Sequence, residues 1–307
     1  MTMVPSVGDE VPESGMGQVL VHEHLVRGLL GHEYFTLAGA PAAEPDALAA
    51  ALSGLAAAGI ETIVDATTIG AGRDVELLRA VARKSGVRIV CSTGLDVADA
   101  EATGFGTLDA DGIAEVFTRE LSAGIPGSDA RAGALVLGLG AEAHPFDEAL
   151  TLAVAFAYAE TGAPVLARAG TARDVLWQVE RLMARGVDPE RLVALHLDRP
   201  STSWETLDAI ASTGARLGFT RIGHDDLHED ARAAMVAYAI RRHGADRLCL
   251  SMSSWGGWLG PTPAPEIEPE RGFGFLDGFL ERLRGLGVSA GELETLLTTT
   301  PQALFAR

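Results

Sequence analysis

Gly17-Gln-Val-Leu-Val-His-Glu-His-Leu25 is an apolar, β-rich run that ends in two histidines. It reads as a strand over Gly17–Val26. Working outward, similar short runs recur at Glu61–Ala66, Val87–Thr93, Gly133–Gly140, Pro164–Ala167, Leu192–Leu197, Ala215–Phe219 and Arg247–Met252. Longer Ala/Leu-rich amphipathic runs fill the gaps: Asp46–Ala58, Asp74–Ser85, Asp111–Ala123, Phe146–Glu160, Ala172–Arg185, Ser203–Ser212, His228–His243 and Phe275–Leu286. A last helix is expected at Ala290–Leu297, where Ser289-Ala-Gly-Glu292 has capping-box spacing. Asp111 and Ser203 are expected helix caps. Strand-then-helix units in series predict a parallel sheet, and closing it predicts a (β/α)8 TIM-type barrel of the α/β class. An open doubly wound sheet is the competing topology, but no Gly-rich phosphate fingerprint follows the first strand.

The chain has 307 residues, 47% of them hydrophobic. Such barrels run to about 250 residues as one domain, and no linker interrupts this chain. Residues 1–307 are therefore expected to form a single barrel, with a long Pro/Gly/Trp-rich loop at 254–274 after strand eight. The net charge of -18 repels phosphate backbones and anionic lipid, which argues against nucleic-acid and membrane partners. The acidic N-terminus lacks a signal peptide's apolar run, and no stretch reaches the roughly 18 apolar residues of a membrane span. Cys91 and Cys249 sit in apolar runs and read as buried free thiols. A cytoplasmic location is expected.

In such a barrel the C-terminal ends of the strands build the active face. That rule selects His22 and His24, Thr67 and Thr68, Asp96, Glu142 and His144, Arg168, His196 and Asp198, His224, and residues 253–258. His22 and His24 are two apart on a strand, so both point to one side. Two imidazoles at that spacing suit a divalent metal.

Gly17–Leu25 resembles the first strand of the phosphotriesterase-like family of the amidohydrolase superfamily. Asp65-Ala-Thr-Thr-Ile-Gly-Ala-Gly-Arg-Asp74 is similar to that family's second strand–helix junction. Further likeness lies in Arg131-Ala-Gly133, Thr161-Gly-Ala-Pro-Val165, His196-Leu-Asp198, Leu217-Gly-Phe219 with Ile222-Gly223, and Thr300-Pro-Gln-Ala-Leu-Phe305. The resemblance implies a barrel with two divalent metals. Their ligands would be the first-strand histidines, a carbamylated lysine or glutamate on strand four, histidines on strands five and six, and an aspartate on strand eight. It also leaves room for a homodimer.

Carried over residue by residue, the ligand set breaks. His22, His24 and His196 match, but the bridging position falls on Val136, the strand-five histidine on Arg168 and the strand-eight aspartate on Ser253. The only lysine, Lys84, lies in the second barrel helix. A shift of two residues on strand four puts Gly138 at the bridge, which is also ligand-free. Two cations about 3.5–4 Å apart repel and need anionic ligands, and a guanidinium cannot bind a metal.

Two readings follow. In the first, no metal or other cofactor is bound. Arg168 holds a carboxylate or a developing oxyanion, and His22, His24, His196 and His224 serve as acid, base or substrate contacts. The substrate is a small carbonyl or carboxylate compound, and the reaction is that of a lyase, isomerase, cyclase or hydrolase. In the second, His22, His24 and His196 hold one zinc for hydrolysis of an ester, lactone or amide. A third, bland reading is a non-catalytic ligand-binding barrel. Val136, Glu142, Asp198, Ser253, Trp255 and Trp258 are the expected substrate-binding neighbours. Arg168 has a structural alternative, an ion pair with Glu142 or Asp198.

Overall fold

The computed structural model describes residues 2–28, 44–140, 142–254, 258–259 and 276–306. The barrel strands are β1 (Gln18–Glu23), β2 (Ile60–Asp65), β3 (Arg88–Asp96), β4 (Ala134–Gly138), β5 (Val165–Arg168), β6 (Leu192–Ala194), β7 (Arg216–Phe219) and β8 (Leu248–Leu250). They lie side by side in chain order, every neighbouring pair parallel. Helices α1 (Pro45–Ala57), α2 (Val75–Ser85), α3 (Ala110–Ser122), α4 (Asp147–Thr161), α5 (Ala172–Met183), α6 (Trp204–Thr213), α7 (Glu229–His243) and α8 (Leu276–Gly285) alternate with them. The chain folds as the (β/α)8 TIM barrel that its pattern predicts.

Two helix starts behave as expected. Ser203 caps α6 and the Ser289–Glu292 capping box is formed. The cap of α3 is Asp109, whose carboxylate accepts from Gly112 N. Asp111 lies one step inside that helix, because the extended residue before the first turn supplies the cap.

Alternation along each strand sorts side chains into an inner and an outer layer. Val19, Val21, Val64, Ala66, Val90, Val136, Leu166 and Val193 fill the interior, and Val4, Met16, Leu304 and Phe305 close its N-terminal end. The intervening residues, such as Leu20, Leu137 and Ala167, face the helices.

β1 and β8 close the seam through polar contacts. Ser253 N donates to His22 O at 3.1 Å and His24 N to Ser254 O at 3.0 Å. The buried Glu23 carboxyl accepts from Met252 N at 2.7 Å and Ser254 N at 2.8 Å. Of the expected loop 254–274, only Ser254 and the backbone of Trp258–Leu259 are among the described residues. Trp258–Leu259 pairs parallel with Arg27–Gly28, so this segment returns to the β1 side as a short strand. No helix of the described residues is long and apolar enough to cross a membrane.

Candidate active site

Regular alternation would turn His22 and His24 outward with Leu20. A register shift prevents this. Leu20 pairs with Ile63 but Glu23 pairs with Asp65, so three steps on β1 oppose two on β2. The extra residue re-aims the strand end, as bulges beside active sites do. His196 reaches the interior by a different device. Its φ of +59° breaks the alternation between inward Leu195 and outward Leu197. Ser253 has a φ of +50°. These are the only non-glycine residues with positive φ among the described residues, and both sit at strand ends in the barrel mouth. Such a backbone costs of order 1–3 kcal/mol each and clusters at functional sites.

The result is a cluster of three imidazoles. The His22 ring lies 4.9 Å from that of His24 and 4.9 Å from that of His196, with interplanar angles of 88° and 86°. All three rings are buried, and burial together with nearby charge holds each pKa well below the ordinary 6.5. Arg168 adds to the shift in all three, and Arg27 in His22 and His24. The rings are therefore neutral at neutral pH.

Hydroxyl partners distinguish the tautomers. Thr67 Oγ1 donates to Val26 O at 3.3 Å, so at 3.1 Å from His24 Nδ1 it is the acceptor. His24 then carries its proton on Nδ1 and presents a bare Nε2. Thr220 Oγ1 accepts from His196 N at 3.0 Å, and among the described residues His196 Nδ1, at 2.9 Å, is the acceptor within reach of its proton. His196 then presents Nε2–H. Both ring nitrogens of His22 are buried without a partner.

Across the mouth stands an ion pair. Asp96, Gly138 and Arg168 are register partners on β3, β4 and β5, and all three positions face inward. Arg168 Nη2 donates to Asp96 Oδ2. Gly138 makes this contact feasible: a Cβ there would lie 2.8 Å from Asp96 Cγ and 3.3 Å from Arg168 Cζ. The structural alternative for Arg168 thus takes a different partner from the one expected. Glu142 is exposed beyond β4. Asp198 is fully buried, 3.0 Å from Arg232 Nε, and accepts from Thr220 N and Arg221 N at 3.0 and 2.8 Å. Arg232 and these two backbone donors tie its carboxylate to the loop beyond β7.

His224 lies at the rim, and its Nε2–H donates to Met252 O at 2.8 Å. Burial and Arg221 lower its pKa. Val136 is buried in the interior layer below the mouth, and Ser253 is buried at the seam. Trp255 and the Trp258 side chain lie outside the described residues. Cys91 and Cys249 are buried free thiols, with pKa pushed up to about 12 by burial.

These groups do not fit a binuclear metal centre. The bridging position is apolar at Val136 or empty at Gly138, the strand-five position carries a cation, and Ser253 brings no charge. No group of three or more His, Cys, Asp or Glu side chains among the described residues is arranged to hold a metal ion. Asp96 does bring an inward carboxylate, but Arg168 occupies it.

Sequence reasoning placed Asp96 at a strand end without giving it a role, and passed over Arg27 and Thr220. Arg27 is half-buried, and its pKa is lowered by burial and by Arg168. Alternation from Val90 points Asp96 inward, and that signal was available. Nothing in the local pattern marks Arg27 or Thr220.

Residues 2–305 match the profile of the phosphotriesterase family. An aryldialkylphosphatase of Saccharolobus solfataricus is 25% identical over 322 residues, covering 99% of this chain and 99% of that protein. An N-acetyltaurine hydrolase of Xenopus tropicalis is 25% identical over 208 residues, covering 64% of this chain and 60% of its own length. The solved structure of an organophosphorus hydrolase from Deinococcus radiodurans superposes with a TM-score of 0.90 at 27% identity, covering 99% of this chain and 97% of that one.

Proposed function

This chain belongs to the phosphotriesterase family, whose members include hydrolases, and from that premise we propose that it is an enzyme working without the binuclear centre. It acts through histidine and arginine groups on a small carbonyl or carboxylate compound. The observation that carries this reading is the Asp96–Arg168 pair laid across Gly138, a guanidinium and a gap where a binuclear site needs ligands.

Each group has a task that its hydrogen bonds support. His24, with a bare Nε2 and a hydroxyl fixing Nδ1, is the base that takes a proton from water or substrate. His196, which keeps its proton on Nε2, is the hydrogen-bond donor toward an oxygen gaining charge. Arg168 stabilises that oxyanion or seats a carboxylate. His22 lies buried beside both rings, its two nitrogens without a partner. His224 and Ser253 bound the substrate space at the rim. Hydrolysis is the favoured reaction, since the named relatives are hydrolases; lyase, isomerase and cyclase steps use the same base and oxyanion groups.

A single zinc on His22, His24 and His196 is the second reading, favoured by the two unpartnered nitrogens of His22. It would require Thr220 to surrender its donor role so that His196 Nε2 loses its proton.

The test is turnover of a panel of esters, lactones, amides and hydroxy acids, with and without chelator, by the parent chain and by Arg168→Ala. The proposal expects chelator-resistant turnover that Arg168→Ala lowers by about 10²–10³. Unchanged turnover in that variant would sink it, and so would loss of turnover on chelation. Tight ligand binding without turnover across the panel would instead favour a non-catalytic binding barrel.

A further inference from the structure

The pair at Arg168 has features of a contact made to be exchanged. We propose that Asp96 is a resident stand-in for a substrate carboxylate: in the free chain it occupies Arg168, and a carboxylate-bearing ligand entering the mouth takes its place. This rests on the reading of Arg168 as the anion-binding group and narrows the substrate class to carboxylates.

The contact is incomplete. A guanidinium offers five N–H donors and matches a carboxylate through two parallel bonds. Among the described residues Arg168 donates only through Nη2, to one oxygen of Asp96. Its Nε is buried with no partner. A ligand free to orient can use the fork that Asp96, tethered to β3, does not.

The contact is also reachable. The Arg168 and Asp96 side chains retain 18% and 14% exposure. The Arg232–Asp198 pair nearby, which is structural, retains none on either side. Below the exchangeable pair Gly138 contributes no side chain, so Asp96 can move without a neighbour filling its path. Arg27, whose charge Asp96 already offsets, stands close enough to keep the released carboxylate in a favourable field.

Exchange has a thermodynamic signature. A ligand that must displace an internal competitor binds with an affinity reduced by the fraction of time the site is free. Removing the competitor therefore tightens binding, whereas removing half of a structural salt bridge does not.

The experiment titrates sodium acetate and sodium butyrate into the full chain by calorimetry, in the parent and in Asp96→Asn, Gly138→Ala and Arg168→Met. Asp96→Asn should bind acetate on the order of tenfold more tightly. Gly138→Ala should do the same by a separate route, since its Cβ pushes the Asp96 carboxylate off the guanidinium. Arg168→Met should bind neither probe. The proposal is overturned if both Asp96→Asn and Gly138→Ala bind acetate no more tightly than the parent, or if Arg168→Met binds as the parent does. Should Asp96→Asn fail to fold, Gly138→Ala carries the test, because its Cβ meets the end of the Asp96 side chain more closely than it meets the Arg168 guanidinium. The readout involves neither turnover nor metal, so chelator-sensitive turnover would remove the catalytic reading and leave these isotherms standing.

Discussion

The two sides of the barrel mouth are built by opposite chemistry. On the β1 and β6 side three neutral imidazoles lie edge to face, each buried. On the β3 to β5 side a carboxylate and a guanidinium meet across a glycine. The first side carries His22, His24 and His196; the second carries Asp96 and Arg168. The arginine then acts on the histidines at a distance, helping to keep them uncharged. A charge on one side of the mouth thus sets the protonation of the rings on the other.

The sharpest way to break this comparison is to remove the base. His24→Ala should lower turnover by about 10²–10⁴, the range of general base catalysis, measured as kcat on whichever substrate the panel yields. Loss of less than tenfold would remove His24 from that role. Next comes the other side. Arg168→Ala should cost about 10²–10³ in kcat, as loss of an oxyanion donor does, and Arg168→Lys should recover only part, because an ammonium lacks the planar fork.

The seam tests whether the imidazole side depends on Glu23. Glu23→Gln keeps the shape but leaves one of two buried N–H groups facing an amide nitrogen. It should destabilise the fold by about 1–3 kcal/mol, read by chemical denaturation. Burial raises the Glu23 pKa to about 8 from 4.5. The folded carboxyl therefore keeps its proton over a range in which the unfolded one has lost it, and stability is lost as pH rises through that window. The variant should flatten this slope.

The histidines act with the opposite sign. Their folded pKa values lie below 6.5, so the unfolded chain binds more protons below that pH. Stability from this source is present above about pH 6.5 and falls as pH drops, by up to about 1.4 kcal/mol per pH unit for each histidine. Denaturation at a series of pH values should show that slope shrinking in His22→Asn. A slope unchanged by that variant would place the titration elsewhere.

How much of this was legible in the sequence follows the same division. The barrel was, because alternating strand and helix runs carry their own periodicity and caps. His22 and His24 were, because their spacing lies within one strand. That they face inward was not, since the register shift before Glu23 depends on how β1 pairs with β2. His196 was found by motif, but its left-handed backbone was not. The Asp96–Gly138–Arg168 row was invisible for a deeper reason. Its three residues lie on three strands, 72 residues apart from end to end, and only the register brings them together. Glu142 and Asp198 were the acids expected beside Arg168, and sequence proximity to strand ends could not reveal that one is exposed and the other consumed by Arg232.

The central claim is that an ion pair, not a metal pair, organises this mouth. Elemental analysis of the purified chain, read beside its turnover before and after chelation, tests it most directly. The account predicts substoichiometric metal and unchanged turnover. About one zinc per chain, or two divalent ions, whose removal abolishes turnover and whose return restores it, would contradict it.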